Sequence, residues 1–242
     1  LCMAPEAESI ITQMIKRCGD QYRVVRHKRN TRLTVERQPY SLKNDLKKGD
    51  ALIVFSKKSV LALAAHLEGQ GVQCSVIYGS LPPATRREQV RRFLAKETDI
   101  VVSTDAIGMG LNLPIRRIVF VETQKFDGVS KRDLEPGEIK QIAGRAGRFG
   151  IYEEGFVAAI DHIDLIEDGL GRMPIPIMKA FIGFPEQLLS LPADIDGLIK
   201  IWAGMDAPPL YQKMEVDELL SLYQSFLAVH GSHMEEFSKH EI

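Results

Sequence analysis

The chain has 242 residues, of which 45% are hydrophobic and 26% are charged, a composition typical of a soluble globular protein that needs no disulfide or metal to hold its core. Its formal net charge of −1 excludes the strongly basic class of nucleic-acid-binding proteins, so any nucleic-acid contact must be a local groove. The sequence has no run of ~20 apolar residues, no secretory signal in its opening LCMAPEAESI, and three cysteines without metal-ligand spacing, which indicates an intracellular protein with reduced thiols and no membrane partner.

Strand-like and helix-like patterns alternate through the first 160 residues. Residues 6–18 have helical apolar spacing, which Gly19 ends. Six β-rich runs follow, several of them continuously apolar, at 22–27, 51–55, 74–78, 99–103, 117–121 and 155–160. Helical patterns lie between them at 56–69, 83–96 and 138–149. This alternation predicts a doubly wound α/β domain with a parallel sheet.

The pattern changes after residue 160. Three helices are predicted at 181–191, 193–205 and 216–229, separated by proline and glycine. They indicate a small helical C-terminal appendage over residues 161–230, in which no catalytic constellation is visible. The sequence GSHM at 231–234 resembles the remnant of a cleaved expression tag. Residues 231–242 are therefore left out of the fold prediction, the alternative being that they are natural.

Small polar residues follow three successive predicted strands. Ser56-Lys57 follows the run that ends at 55, Gly79-Ser80 follows the next, and Thr104-Asp105 follows the third. Because ligands bind at the carboxyl ends of parallel strands, hydroxyl and backbone N–H groups there predict an edge that holds phosphate. The alternative for each hydroxyl is to cap the helix that it precedes.

The stretch QIAGRAGRFG, at 141–150, places two arginines among glycines and alanines, whose side chains are absent or small. On a helix Gln141, Arg145 and Arg148 would share one face. Glycine within a helix costs about 1 kcal/mol relative to alanine, so the glycines indicate that something bulky, or another backbone, approaches this face. Guanidinium groups suit a polyphosphate. The alternative is a surface helix with ordinary ion pairs.

Four stretches together resemble a known family. LIVFSKK, SVIYGSLPPATR, VVSTDAIGMGLNLPIRRIVF and QIAGRAGRFG resemble motifs IV, IVa, V and VI of superfamily-two helicases. The resemblance is greatest to the Suv-type ATP-dependent RNA helicases of the mitochondrial degradosome family, which has bacterial relatives. It covers residues 1–160 well and the helical tail more loosely.

The resemblance implies a RecA-like fold and a division of the chain. Residues 1–20 resemble the segment after motif III, residues 21–160 the second RecA-like helicase domain, and residues 161–230 the start of the helical C-terminal region. The sequence has no G-x-x-x-x-G-K-[ST] loop and no acidic box. Both are expected in a first RecA-like domain before residue 1, so the chain alone is expected to be inactive.

The resemblance also implies roles for individual residues. Arg145 and Arg148 would be arginine fingers for ATP, Gln141 would sense its phosphate, and Asp105 would orient one of the arginines. Gly110 and Asn112 would lie near the nucleotide ribose or would couple the nucleotide to RNA. The residues expected to bind RNA phosphates are Ser56, Lys57, Gly79, Ser80 and Thr104. ATP and Mg²⁺ would be held mainly by the first domain.

The expected partners are RNA, the first RecA-like domain and, as a candidate, an exoribonuclease. The expected location is the bacterial cytoplasm or the mitochondrial matrix. Two other functions stay open at the level of the residues, because phosphate contacts do not distinguish RNA from DNA. One is a non-catalytic nucleic-acid-binding or regulatory module, and the other is a DNA translocase.

A hairpin is predicted between motifs V and VI. Asp127-Gly128 lies within residues 124–136 and is a tight-turn signal. In some related helicases a hairpin in this interval separates strands. The alternative is a surface hairpin that does not touch RNA.

Overall fold

A computed structural model of the chain describes residues 1–108, 110–148, 150–213 and 216–230. The strands are β1 (Arg32–Val35), β2 (Asp50–Ile53), β3 (Cys74–Ile77), β4 (Ile100–Ser103), β5 (Arg117–Phe120), β6 (Gln124–Phe126), β7 (Lys131–Asp133), β8 (Glu154–Ala159), β9 (Ala180–Ile182) and β10 (Tyr211–Lys213). The helices are α1 (Glu8–Arg17), α2 (Lys57–Gly69), α3 (Pro83–Leu94), α4 (Pro136–Ala143), α5 (Ile163–Gly171), α6 (Ile195–Gly204) and α7 (Val216–His230).

The chain divides into two compact units. One comprises Arg26–Met173, and the other joins Leu1–Val25 to the chain from Pro174 onwards. Helix α5 belongs to the first of these units, where it packs against α4. The division at residues 20 and 160 that the sequence suggested stays a prediction about the family's domain plan.

A six-stranded sheet with the order β1-β8-β5-β2-β4-β3 forms the centre of the unit Arg26–Met173. Every neighbouring pair is parallel. The predicted α/β fold with a doubly wound, RecA-like parallel sheet is therefore confirmed. Because the six strands are parallel, their carboxyl ends lie together along one side of the sheet, here called the carboxyl edge. Their amino ends lie along the opposite side, here called the amino edge.

The two faces of the sheet are both buried, which explains the continuously apolar strand sequences. Ala51 and Ile53 of β2 face a core to which α4 and α5 contribute. Leu52 and Val54 face a second core that includes Val60, Ala64 and Leu67 of α2. Helices thus cover both faces and leave the two edges of the sheet free to carry the loops.

The strand predicted at residues 22–27 was wrong. This segment has no regular structure, and Val24 and Val25 are 39% and 58% exposed. The first strand is Arg32–Val35, which pairs with β8 at the end of the sheet. Two consecutive valines offer too little apolar surface to bury a strand whose neighbouring residues are mostly basic.

The helix predicted at residues 138–149 ends early. Pro136 occupies the first turn of α4, and the helix stops at Ala143 with Gly144 as its C-cap. Gly147 then adopts a left-handed conformation with φ +69°, which a continuing α-helix does not allow. Arg145 and Arg148 are therefore in a loop rather than on a helical face with Gln141. Phe149 lies outside the described residues.

The other compact unit is only partly as predicted. Helices α6 and α7 confirm two of the three helices expected after residue 160. The third, at 181–191, was wrong: β9 pairs in parallel with β10, and only a 3-10 turn follows at Glu186–Ser190, because Pro185 separates the two pieces. Residues 231–242 lie outside the described residues. None of the described helices has the length and apolar character needed to cross a membrane.

Candidate functional site

The residues singled out in the sequence divide between the two edges of the sheet. Ser56, Gly79-Ser80 and Thr104 follow β2, β3 and β4, which are adjacent, so they gather at the carboxyl edge. The loop after α4 leads into the start of β8 and therefore lies at the amino edge. The Ile115–Ala146 bridge, two residues before β5, fixes that position.

At the carboxyl edge, two of the three hydroxyls cap local structure. The Ser56 Oγ accepts a hydrogen bond from the Ser59 N–H at 2.9 Å and is the N-cap of α2. The Thr104 Oγ1 accepts from the Ala106 N–H at 3.2 Å and is only 7% exposed. The capping alternative is thus realised at both positions. A phosphate contact by either hydroxyl stays a prediction.

Gly79 and Ser80 form an exposed turn between β3 and α3. Arg86 of α3 supports this turn, because its Nη2 donates to the carbonyls of Gly79 at 2.8 Å and Tyr78 at 3.2 Å. The Lys57 Nζ lies 5.6 Å from the centroid of the Tyr78 ring. Positive charge is therefore concentrated around the exposed turn. Sequence reasoning missed Arg86, since nothing in its spacing distinguishes it from the neighbouring Arg87.

At the amino edge, both conspicuous arginines contact the preceding loop of the chain. Residues 144–148 are here called the arginine loop, and residues 105–114 the motif V loop. Arg145 donates to the carbonyl of Gly108 and, at 3.4 Å, to that of Leu111. The Arg148 Nη1 donates to the carbonyl of Asn112 at 3.0 Å. The two loops are thus joined through side chain to backbone hydrogen bonds.

Gln141 joins the same cluster from the last turn of α4. Its side chain lies over Gly108, where an added Cβ would be 3.0 Å from the Gln141 Cγ. A side chain at position 108 would therefore require the Gln141 side chain to shift. Gly110 and Asn112 are exposed on the motif V loop beside it. The structure therefore brings Gln141, Arg145 and Arg148 together against the motif V loop. That loop also carries Gly110, Asn112 and Asp105, the other residues that the resemblance assigns to the nucleotide site.

The charge of the two arginines is not neutralised by carboxylates. Within the described residues, neither Arg145 nor Arg148 has an Asp or Glu oxygen within 4.0 Å. Arg117 shows the contrast, because it is buried and pairs with Asp50 at 2.6 Å and Glu36 at 2.8 Å. Two half-buried guanidinium groups that meet only carbonyl oxygens keep the ability to bind an anion.

Asp105 has a different partner from the one expected. Its carboxylate pairs with Lys125 of β6 at 3.3 Å, and neither arginine of the arginine loop donates to it. Lys125 also pairs with Glu138 of α4 at 2.6 Å, and Arg132 of β7 pairs with Glu138 at 2.9 Å. Although burial opposes ionisation, the hydrogen bonds from Arg132 and Lys125 lower the pKa of Glu138 to about 2.

The predicted hairpin is present as β6 and β7, which pair antiparallel. The Asp127 carboxylate accepts hydrogen bonds from the Val129 and Ser130 N–H groups, each at 2.8 Å, and these bonds lower the pKa of Asp127. Phe126 and Val129 are 61% and 90% exposed. An apolar tip is therefore available, and its role in strand separation stays a prediction.

Two further residues at the amino edge escaped the sequence analysis. Arg29 and Thr31 precede β1, and their side chains donate to the carbonyls of Gly144, Ala146 and Gly147. They lie more than 100 positions before the loop that they hold, so no local pattern could have indicated the contact. Among the described residues, no group of three or more His, Cys, Asp or Glu side chains could hold a metal.

Comparison with known proteins gives a family match at this site. The model of the helicase conserved C-terminal domain matches residues 35–150, which include both loops. A solved structure described as the C-terminal domain of the DEAD-box protein Dbp5 covers 81% of this chain and 98% of its own, with 15% identity and a TM-score of 0.42.

Curated relatives are similar over most of this chain. The mitochondrial ATP-dependent RNA helicase SUV3 of Candida albicans is 43% identical over 170 residues, or 69% of this chain and 24% of its own length. The mitochondrial DExH-box ATP-dependent RNA helicase DExH16 of Arabidopsis thaliana is 41% identical and covers 76% of this chain and 33% of its own length. The human mitochondrial ATP-dependent RNA helicase SUPV3L1 is 37% identical and covers 74% and 25%.

The chain spans about a quarter to a third of the length of these relatives. The matched residues contain motifs IV to VI together with the loops that carry the arginines. Residues 35–150 are therefore a helicase conserved C-terminal domain, and the chain belongs to the Suv-type helicases of superfamily two.

Proposed function

We propose that the unit Arg26–Met173 is the second motor domain of an ATP-dependent RNA helicase. The observation that carries the proposal is the pair of guanidinium groups at the amino edge, which have no carboxylate partner among the described residues. A pair of exposed structural arginines would gain from pairing with acidic side chains, whereas arginines that meet a polyphosphate must stay free of them.

In this proposal, ATP is bound mainly by a first motor domain, together with Mg²⁺, and Arg148 and Arg145 approach its terminal phosphates. The guanidinium groups stabilise the charge that spreads over the transferred phosphoryl group. By analogy with other nucleotide hydrolases, an arginine of this kind contributes about 10³–10⁵-fold in rate, or roughly 4–7 kcal/mol of the barrier. Gln141 senses the phosphate from the last turn of α4.

The carboxyl edge is proposed to hold the RNA backbone. Lys57, the exposed Ser56 hydroxyl and the N–H groups of the Gly79-Ser80 turn supply charge and donors there. Support for RNA as the ligand comes from the names of the relatives, which are RNA helicases. Those relatives are mitochondrial, which supports the mitochondrial matrix as the proposed location, with a bacterial cytoplasm as the alternative. An exoribonuclease is proposed as a candidate partner.

The proposal is tested with Arg148→Ala and Arg148→Lys in the full-length protein. We expect Arg148→Ala to lower RNA-stimulated ATP turnover by about 10³-fold or more, while ATP affinity changes much less, because the charge acts mainly in the transition state. Arg148→Lys should recover little, since an ammonium group cannot reproduce the planar fork. The 242-residue chain alone, without a phosphate loop, should release no phosphate.

The controls separate catalysis from folding. The thermal midpoint of Arg148→Ala, measured on the same preparation, should stay near that of the wild type, because the side chain is half-exposed and contributes little packing. Turnover close to the wild-type value, or an unfolded variant, would show that the arginine is structural. Competition between RNA and DNA oligonucleotides of one sequence distinguishes an RNA helicase from a DNA translocase.

A further inference from the structure

The course of the arginine loop is set by a segment that precedes β1. The Arg29 Nη1 donates to the carbonyl of Gly144 at 2.8 Å, and its Nη2 donates to that of Ala146. The Thr31 Oγ1 donates to the carbonyl of Gly147 at 2.7 Å. Two side chains thus bind three carbonyls within four consecutive residues.

The same two residues are also bound to each other. The Arg29 Nε donates to the Thr31 carbonyl at 2.8 Å, and Thr31 is only 8% exposed. The Arg29 guanidinium uses all three of its nitrogens, and none of them meets a carboxylate in these bonds. Burial against the loop lowers the pKa of Arg29. Although Arg29 is exposed as a whole residue, its guanidinium binds backbone carbonyls, and Arg29 and Thr31 are here called the clamp.

The position of the clamp relates it to the proposed arginine fingers. Arg145 lies between Gly144 and Ala146, whose carbonyls Arg29 binds, and Arg148 directly follows Gly147, whose carbonyl Thr31 binds. The carbonyls beyond the end of α4 have no helical partner, and a cation near a helix C-terminus is favourable. Without the clamp, the backbone on both sides of each finger would lose its fixed partners.

We propose that Arg29 is a positioning residue for Arg145 and Arg148, and that it acts on ATP turnover through them. This inference rests on the proposed function. A misplacement of about 1 Å at a reacting group can cost on the order of 10²-fold in rate. Loss of the clamp should therefore lower kcat without changing the affinity for ATP, which the first motor domain holds.

The experiment uses the full-length protein with Arg29→Ala, Arg29→Lys and a matched control, Lys28→Ala, which removes an exposed cation one residue earlier. We expect Arg29→Ala to lower RNA-stimulated kcat by about 10–100-fold with little change in KM for ATP. Arg29→Lys should recover only part of the loss, because one ammonium group cannot bind two carbonyls in a planar fork. Lys28→Ala should keep the wild-type kcat.

A double-mutant cycle with Arg148→Ala distinguishes a positioning role from a merely structural one, because it compares the loss of kcat caused by Arg29→Ala with and without Arg148. Because Arg29 is proposed to act through both arginines, adding Arg29→Ala to Arg148→Ala should lower kcat by a smaller factor than it does in the wild type, and adding it to a variant that carries both Arg145→Ala and Arg148→Ala should cause no further loss. Additive losses, or a wild-type kcat in Arg29→Ala alone, would overturn the inference while the loss in Arg148→Ala upheld the proposed function. A wild-type kcat in Arg148→Ala would overturn both.

Thr31→Val keeps the test decisive if Arg29→Ala does not fold. Valine preserves the volume of the buried threonine and removes only the hydroxyl that binds the Gly147 carbonyl. We expect a severalfold lower kcat at an unchanged KM for ATP. If Thr31→Val folds and turns over ATP at the wild-type rate while Arg29→Ala fails to fold, the segment is structural and the inference is wrong.

Discussion

Gly147 is the residue that allows the arginine loop to lie against the sheet. Its φ is +69°, and an added Cβ would be 2.5 Å from the Gly155 nitrogen and 2.6 Å from the Gly155 Cα. Gly155 is under the same restriction, because its own Cβ would meet the Ala146 carbonyl carbon at 2.6 Å. The glycines of GRAGR are thus explained in part by the close approach of the backbone at Gly155. The sequence analysis had offered either a bulky group or another backbone as what approaches this stretch.

We expect Gly147→Ala to destabilise the unit Arg26–Met173 by about 2–4 kcal/mol, from left-handed strain together with overpacking. Gly150→Ala is the matched control, since Gly150 has φ +82° but open space around its Cα. It should cost about 1 kcal/mol from strain alone.

Chemical denaturation of the 242-residue chain measures both variants. Circular dichroism at 222 nm is the suitable signal, because the single tryptophan, Trp202, belongs to the other compact unit. Equal destabilisation by both substitutions would mean that the close approach of Gly155 contributes nothing.

At the scale of elements, α4 is bound to the hairpin through one carboxylate. Glu138 forms a capping box with Glu135 at the start of the helix and also pairs with Lys125 and Arg132 of the hairpin. Lys125 extends this network to Asp105 on the motif V loop. The start of the helix that leads to the arginine loop is therefore fixed to the carboxyl edge of the sheet by charge.

The pKa of Glu138 makes this network sensitive to acid. Its value of about 2 lies below the ordinary 4.5. The stabilisation is therefore complete above about pH 5 and is lost as the pH falls from about 4.5 towards 2. We expect Glu138→Gln to lower the free energy of unfolding by about 2 kcal/mol at pH 7 and by much less at pH 3, as measured by urea denaturation.

Glu153→Gln, at an exposed carboxylate, is the control for the loss of one negative charge. It should leave the difference between pH 7 and pH 3 as in the wild type. A Glu138→Gln variant with the wild-type pH dependence would contradict the role assigned to the network.

The elements that the sequence predicts well are those whose burial is local and continuous. Runs such as residues 51–55 and 99–103 are apolar on both faces, and this is sufficient to identify a central parallel strand. β1 was missed because Arg32–Val35 is a short end strand with polar residues, and its place depends on pairing with β8. The end of α4 was missed because it depends on the contact between Gly147 and Gly155, which only the folded chain creates.

In the candidate site, too, the residues that share a local sequence pattern could be predicted and those brought together by the fold could not. Gln141, Arg145 and Arg148 were identified as a group from local spacing and resemblance, although the helical geometry assumed for them was wrong. Arg29, Arg86 and the pairing of Asp105 with Lys125 could not be predicted, because each joins positions that are brought together only by the sheet or by a turn.

At the scale of the whole unit, the two proposed ligand sites lie at opposite edges of one sheet. A strand of four residues spans about 13 Å, so one phosphate group cannot reach both edges. The motif V loop connects them, since it begins after Thr104 at the carboxyl edge and reaches the arginine loop at Asn112. In the proposed function, this covalent segment is the route by which RNA at the carboxyl edge would act on the arginines at the amino edge.

The last prediction concerns RNA binding by the 242-residue chain. The net charge is −1, and the carboxyl edge supplies only part of a groove between two domains, so binding to a single-stranded oligonucleotide should be weak and should fall steeply with salt. For single strands, each neutralised phosphate contributes about −0.7 to the slope of log K against log salt concentration. Lys57→Ala should therefore make the slope less steep by about 0.7.

The control is Lys48→Ala, which removes another exposed lysine, here at the amino edge, where it pairs with Asp99 at 3.1 Å. This variant should leave the slope unchanged, because Lys48 lies on the opposite side of the sheet from the proposed RNA contacts. Equal slopes for the two variants would show that the chain binds RNA through diffuse charge rather than at the carboxyl edge. Tight binding that salt does not weaken would instead require aromatic stacking outside the proposed edge.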